Sequence, residues 1–203
     1  MNKMTDSVPL ILASGSPRRI HYLKNMGLTF EVQPASIDES VQEGESPEAL
    51  VRRLSRMKAH AVAAAHPDAV VLGADTVVVI DNEILGKPRD REDAKAMILK
   101  LGGRTHQVYT AVCIVRGSQE QSFCTVTHVT FAPISEELAA LYVASGESDD
   151  KSGSYAVQGI AAMFVDKVEG SVSSVVGLPA SQTRQALEAY GIFPRTVKEQ
   201  EHE

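Results

Sequence analysis

The sequence contains little cysteine, no long apolar run and fewer basic than acidic side chains, and each shortage excludes a class of protein. No apolar stretch of the 203 residues is long enough to cross a membrane. The N-terminal segment has only about five consecutive apolar positions, too few for the core of a signal peptide. We therefore expect a cytoplasmic protein that does not associate with a membrane.

Acidic side chains outnumber basic ones, with 26 Asp and Glu against 20 Lys and Arg, which gives a formal net charge of −6. This balance disfavours nonspecific binding to nucleic acid, because its phosphates repel an acidic surface. Any cluster of basic side chains is then local. The charge therefore favours a small anion as ligand and no nucleic-acid partner.

The two cysteines, Cys113 and Cys124, fall in two predicted strands joined by the turn-like segment RGSQ. They could face each other across this hairpin. In a cytoplasmic protein we expect both to be reduced thiols of the core. No third soft ligand lies near them and the six histidines show no metal spacing, so the sequence does not indicate a zinc site.

Predicted helices and strands alternate along the chain with several hairpins, which is typical of a mixed sheet. The predicted strands cover residues 9–13, 30–36, 69–80, 83–88, 105–115, 121–131, 155–165 and 171–178, and the segment 69–80 consists of two apolar runs flanking residues 73–76. The predicted helices cover residues 17–26, 47–66, 90–101 and 136–146 and a segment beginning at 179. We expect a single domain with a core of about residues 8–191. The tail 195–203 is predicted to be disordered.

The first predicted helix has an unusual first turn. Ser16 is a favourable N-cap and Pro17 a favourable first residue, but Arg18 and Arg19 follow, where the helix dipole is positive. An anion bound at this strand–turn–helix junction would turn both arginines into ligands for its oxygens. The alternative is that both arginines are solvated surface residues.

Two further charges occupy positions where the pattern predicts a core. Lys58 falls on the apolar stripe of the second helix, so it must either extend to solvent or meet a charge. Asp75 lies between the apolar runs AVVLGA and TVVVI, which predicts a buried carboxylate or one at the floor of a cleft. The alternative for Asp75 is a turn-capping role, because Gly73 permits a bend.

Carboxylates of the acidic loop can complete a metal site with Asp75. Glu39, and with it Asp38, would supply the hard oxygen ligands that Mg²⁺ or Mn²⁺ prefers. Lys87 lies just beyond the hairpin that follows Asp75, so it can return to the same place. Cations that hold a polyphosphate, beside carboxylates that hold a metal and orient water, predict phosphate-ester or phosphoanhydride chemistry.

Five segments in this order, LILASGSPRR, RLSRMKA, LGADTVVVIDNEILGKPRD, GGRTHQVYTAV and GSYAVQGIAAMFV…GSVSSVVGLP, resemble the Maf family of nucleoside triphosphate pyrophosphatases. The resemblance runs from about Leu10 to Tyr190. It implies an α/β fold like that of inosine-triphosphate pyrophosphatases, with an elongated mixed sheet, flanking helices and two lobes around a nucleotide cleft. It also implies a homodimer, a divalent metal cofactor (Mg²⁺ or Mn²⁺), and a reaction that converts a nucleoside triphosphate and water to the monophosphate and pyrophosphate.

The resemblance also assigns roles to residues. Asp75 matches the proposed catalytic base, and the phosphate and metal site is matched by Ser16, Arg19, Glu39, Lys58 and Lys87, with Glu39 and Asp75 as metal ligands. At three positions that separate the subfamilies, Arg18, Thr76 and Gln158, the sequence resembles members acting on dTTP and UTP. Members acting on 7-methyl-GTP tend to have Trp, Gln and Glu there.

The sequence departs from the family pattern at two places, the less aromatic segment SVSSVV and Ser152, where Ala is commoner. Two other functions are alternatives. A nucleotidyltransferase would share the turn LASGSPRR but needs a longer glycine-rich loop and an additional domain. A nucleotide-binding regulator of septum formation with little turnover is the other alternative, and the presence of Asp75, Lys58 and Lys87 argues against it.

Overall fold

The computed structural model describes residues 8–195, and within them one mixed sheet of seven strands organises the fold. The strands are β1 (Leu10–Leu12), β2 (Glu31–Val32), β3 (Val70–Ile80), β4 (Glu83–Leu85), β5 (Thr105–Arg116), β6 (Gln119–Phe131) and β7 (Val165–Glu169). Their order in the sheet is β2-β1-β3-β5-β6-β7, and β4 also pairs with β3. β1 is parallel to β2 and β3, and the other pairs are antiparallel. The predicted mixed α/β sheet is confirmed.

The helices are α1 (Pro17–Asn25), α2 (Pro47–Ala63), α3 (Arg91–Leu101), α4 (Glu136–Ala144), α5 (Val172–Val176) and α6 (Ala180–Glu188), with short 3-10 helices at Ser152–Ser154 and Ile160–Phe164. Side-chain oxygens cap four of the longer helices, on Ser16, as the sequence predicts, and on Ser46, Asp90 and Ser135. None of the helices within residues 8–195 is long and apolar enough to span a membrane.

The central strand β3 has a gap along one edge. On one side β5 pairs with it from Val71 to Val79. On the other side β1 pairs only with Val70–Leu72 and β4 only with Val78–Ile80. In the described part of the chain, residues 73–77 have no strand partner on this side. Because alternate residues direct their backbone groups to the same edge, the N–H and C=O groups of Ala74 and Thr76 point into this gap.

The two faces of the sheet are covered differently. On one face, the long helix α2 packs Leu50, Leu54 and Ala59 against odd-numbered residues of β3. On the other face, even-numbered residues of β3 belong to two separate cores. One core lies around Leu72 with α1 and α6, and the other lies around Val78 with α3 and α4. Thr76 lies between them, so the gap opens into a cleft between two lobes.

Two predicted strands are wrong in part or in whole. The segment 171–178 forms α5, because the Ser171 hydroxyl accepts from Ser174 N at 3.1 Å and Gly177, with a φ of +124°, ends the turn. Within 155–165 the chain makes turns and a 3-10 helix before β7 begins at Val165. Glu147 accepts the backbone N–H groups of Ile160 and Ala161, which removes them from a strand ladder.

Two further predictions need correction. The two apolar runs around residues 73–76 form one continuous strand, β3. The cysteines do not face each other, because Cys113 pairs with Ser122 and Cys124 with Ala111. Both are free thiols, as predicted, and burial raises the pKa of Cys113 to about 12. Apart from Arg195, the predicted disordered tail lies outside the described residues.

We expect Gly73→Ala to destabilise the protein, because α2 crosses β3 in direct contact with Gly73. A Cβ there would lie 2.3 Å from Ser55 O and 2.7 Å from Ala59 N, both backbone atoms. Overpacking of this kind costs about 1–3 kcal/mol or more. The measurement is the free energy of unfolding in urea. Gly86→Ala is the matched control, since its Cβ would meet nothing within 4 Å, and an equal loss in both variants would contradict the prediction.

Candidate active site

The junction between β1 and α1 forms one wall of the cleft. The Ser14 hydroxyl accepts from Ser16 N at 3.2 Å, and the Ser16 hydroxyl accepts from Arg19 N at 3.5 Å as the N-cap. These bonds close the turn tightly and direct the first turn of α1 towards the gap in the sheet. The helix N-terminus and Arg19 therefore face the same space.

Arg19 is held by neutral acceptors alone. Its Nε donates to Gly177 O at 2.8 Å, Nη1 to the Ser14 hydroxyl at 3.1 Å and Nη2 to the Thr76 hydroxyl at 3.2 Å. One N–H on each terminal nitrogen is left, which suits two oxygens of a phosphate. Burial lowers the pKa of Arg19 from 12.5, but a guanidinium stays charged at neutral pH.

Lys58 reaches from α2 to Asp75 of β3. Its Nζ lies 2.7 Å from Asp75 Oδ1 and 2.9 Å from Glu39 Oε1. Lys58 and Asp75 are only 8% and 7% exposed. Burial raises the pKa of Asp75 above its ordinary 3.8, and the charges of Lys58 and Arg19 oppose this effect without cancelling it. Raising the pKa makes this carboxylate a stronger base than one in water.

Lys87 follows β4 and is positioned by a neighbouring loop. Gly153 N donates to Gly86 O at 3.0 Å. The Ser152 hydroxyl donates to Leu85 O at 2.6 Å and accepts from Val78 N at 3.3 Å, which ties the loop to both strands of the hairpin. Ser152, noted as a departure from the family pattern, thus has a structural role beside Lys87.

Gln158 lies in a turn on the opposite wall. Its Nε2 donates to the Tyr22 hydroxyl of α1 at 3.0 Å, so it bridges the two lobes. The carbonyl end of the amide remains as an acceptor at the cleft.

These residues line one open cavity of about 580 Å³, the size of a small-molecule site. All nine predicted site residues lie on it: Ser16, Arg18, Arg19, Glu39, Lys58, Asp75, Thr76, Lys87 and Gln158. Asp38 does not line it, since its carboxylate is turned to Ser40 N at 2.9 Å. Sequence reasoning missed Ser14, which lines the cavity and orients Arg19; the polar run SGS after a buried strand was the available signal.

Three cations of the cavity, Arg18, Arg19 and Lys87, have no carboxylate within 4.0 Å in the part of the chain that the structure describes. An acidic protein that leaves three cations together without partners presents a site for an anion. An open mixed sheet with a cation-lined cleft at a gap beside its central strand defines an α/β protein with an anion site in the cleft.

The chain belongs to the Maf family. The family model described as "Maf-like protein" matches residues 9–190. The dTTP/UTP pyrophosphatase of Myxococcus xanthus (strain DK1622) is 49% identical over 92% of this chain and 95% of its own length. That of Desulfotalea psychrophila (strain LSv54 / DSM 12343) is 48% identical over 91% and 96%. Similarity to the solved Staphylococcus aureus Ham1 protein is distant, with 15% identity over 61% of this chain and 72% of that one and a TM-score of 0.45.

We expect the buried carboxylate of Asp75 to make the protein less stable as the pH rises. Its pKa in the folded protein is raised above 3.8, so above about pH 4 the folded state keeps a proton that the unfolded chain releases. The stability of the wild type relative to Asp75→Asn should therefore fall with increasing pH by at most about 1.4 kcal/mol per pH unit, then level off.

The measurement is urea unfolding of both proteins between pH 4 and pH 8. Asp38→Asn is the control, because hydrogen bonds from Ser40 lower the pKa of Asp38. The stabilising effect of this carboxylate is therefore already present above about pH 4, and the stability of the wild type relative to this variant should stay nearly constant over the same range. A wild type that gains stability relative to Asp75→Asn over the same range would show that the ion pair with Lys58 outweighs burial.

Proposed function

We propose that this protein hydrolyses dTTP and UTP to the nucleoside monophosphate and pyrophosphate. The observation that carries the proposal is the arrangement in one cavity of a buried Asp75–Lys58 pair and three cations that have no carboxylate partner within residues 8–195. The relatives at 48–49% identity that bear the name dTTP/UTP pyrophosphatase support the choice of reaction and substrates. The cytoplasmic location and the homodimer are further parts of this proposal.

The cations bind and orient the triphosphate. Arg19 offers its two remaining N–H groups to phosphate oxygens, and the N-terminus of α1 faces the same space. Lys87 adds positive charge from the other lobe. Because neutral acceptors hold Arg19, its charge is available to the ligand before the ligand arrives. Positive charge that is already in place binds the triphosphate without first having to leave a carboxylate partner.

Asp75 positions the attacking water and takes its proton. The water oxygen forms a bond to the α-phosphorus while the bond from that phosphorus to the bridging oxygen breaks, and pyrophosphate leaves with its electron pair. Lys58, at 2.7 Å, holds the carboxylate in one orientation. Its positive charge also stabilises the carboxylate before the proton is transferred.

A divalent metal fits the donor set. Asp75 and Glu39 each bring one carboxylate oxygen to within 2.9 Å of Lys58 Nζ, so the two carboxylates are neighbours, and Mg²⁺ usually takes one or two carboxylates together with substrate phosphates. No group of three metal-binding side chains occurs within the described residues, and phosphate oxygens of the substrate and water would complete the coordination. When bound, the metal would neutralise phosphate charge and lower the pKa of water.

Gln158 recognises the base. Thymine and uracil present two carbonyl acceptors on either side of an N–H donor, and an amide has both a donor and an acceptor. Its Nε2 is engaged by Tyr22, so its carbonyl oxygen is the group left for the N–H of the base.

The products test the proposed bond cleavage. With Mg²⁺ or Mn²⁺, dTTP and UTP should yield the monophosphate and pyrophosphate in equal amounts, and EDTA should stop turnover until excess metal is added. Chromatography of the nucleotides and a pyrophosphate assay measure this. Orthophosphate with a nucleoside diphosphate would contradict the proposal. Nucleotide binding without turnover would favour the regulatory alternative.

Asp75→Asn tests the catalytic group. We expect kcat for dTTP to fall by about 100-fold or more, the typical effect of removing a general base, while the fold survives. The dissociation constant of dTTP should change far less, because the cations are intact. Asp38→Asn is the matched control, a neighbouring carboxylate that does not line the cavity. Near-normal turnover of Asp75→Asn would contradict a catalytic role.

A further inference from the structure

Beneath Arg19 lies a chain of hydroxyl groups that the proposed mechanism does not use. Nη2 of Arg19 lies 3.2 Å from the Thr76 hydroxyl, which lies 2.9 Å from the Thr110 hydroxyl of β5. The Thr110 hydroxyl lies 2.8 Å from Ser174 O of α5. Thr76 and Thr110 are directly paired on adjacent strands, and Thr110 is fully buried.

The direction of each hydrogen bond in this chain is determined by its two ends. Ser174 O is a carbonyl and can only accept, so Thr110 donates to it. Thr110 has no second hydrogen, so Thr76 must donate to Thr110. Arg19 can only donate, so the Thr76 oxygen accepts from Nη2. With any other arrangement, two acceptor oxygens would face each other at 2.8–2.9 Å.

The only hydrogen of the Thr76 hydroxyl is therefore committed to Thr110. Thr76 cannot donate to a phosphate oxygen, although it lines the cavity. It contributes instead as an acceptor that holds one arm of the guanidinium. Thr110 also anchors α5, whose end supplies Gly177 O, the acceptor of Arg19 Nε at 2.8 Å. Two of the three acceptors around Arg19 thus depend on Thr110.

We propose that Thr110, which does not line the cavity, is a positioning residue that orients Arg19 for the triphosphate through Thr76 and α5. This inference rests on the proposed function for its substrate. Because Arg19 contacts phosphates in the bound state and in the transition state alike, its misorientation weakens binding more than the chemical step. The hydroxyl is the active part of Thr110, so serine can replace it and valine, of the same shape, cannot.

The experiment compares Thr110→Val with Thr110→Ser in the full-length chain. We measure KM and kcat for pyrophosphate release from dTTP, and the dissociation constant of inorganic tripolyphosphate by calorimetry. Thr110→Val should raise KM and the dissociation constant about tenfold, as expected when a misoriented Arg19 loses one charged hydrogen bond to the phosphates, with a much smaller change in kcat. Thr110→Ser should stay close to the wild type. A wild-type-like valine variant, or a serine variant as impaired as valine, would overturn the proposal.

A double-mutant cycle with Arg19→Lys tests whether the effect passes through Arg19. In the Arg19→Lys background, Thr110→Val should have little further effect on tripolyphosphate binding, whereas additive losses would overturn the proposal. If Thr110→Val fails to fold, the same cycle is run with Thr76→Val and Thr76→Ser, at the half-buried end of the chain. If the wild type releases no pyrophosphate, the proposed function fails, and tripolyphosphate binding still decides the role of Thr110.

Discussion

The buried ion pair between Lys58 and Asp75 is the interaction on which the site depends. A carboxylate and an ammonium group lose several kcal/mol of hydration on burial, so each requires the other. The 2.7 Å contact exists because α2 packs against β3 with no side chain between them at Gly73. Glu39 approaches the same ammonium from the acidic loop. The packing of α2 on β3 and the chemistry of the site therefore both depend on Lys58.

Beside this ion pair the sheet is open along one edge of β3. β1 and β4 each cover one end of the same edge of β3, and on this edge the five residues between them have no strand partner within residues 8–195. A central strand normally pairs along both edges, so the gap sacrifices sheet hydrogen bonds to create a cleft. Cations from both lobes line this gap. Arg19 is fixed by neutral oxygens, so its orientation is maintained without neutralising its charge.

The features that could be predicted from sequence are local ones. The cap at Ser16, the proline that follows it and the turn at Asp81 and Asn82, with φ of 53° and 60°, depend on residues adjacent in the chain. The wrong predictions lie where the local conformation depends on residues that are distant in the chain. SVSSVV reads as a strand from its β-branched residues, yet Ser171 and Gly177 close it into a helix. The turn before β7 depends on Glu147, more than ten residues earlier.

The sequence by itself determined which charged residues conflict with the local pattern, because hydrophobic periodicity and helix dipoles act over a few residues. These are the arginines at a helix N-terminus, a lysine on an apolar stripe and an aspartate inside a strand. Only the tertiary structure decided that Lys58 pairs with Asp75, that Arg19 keeps its charge free and that Thr110 supports it. Those contacts join residues 17 to 158 positions apart. Sheet register and helix packing create them, and no local pattern encodes either.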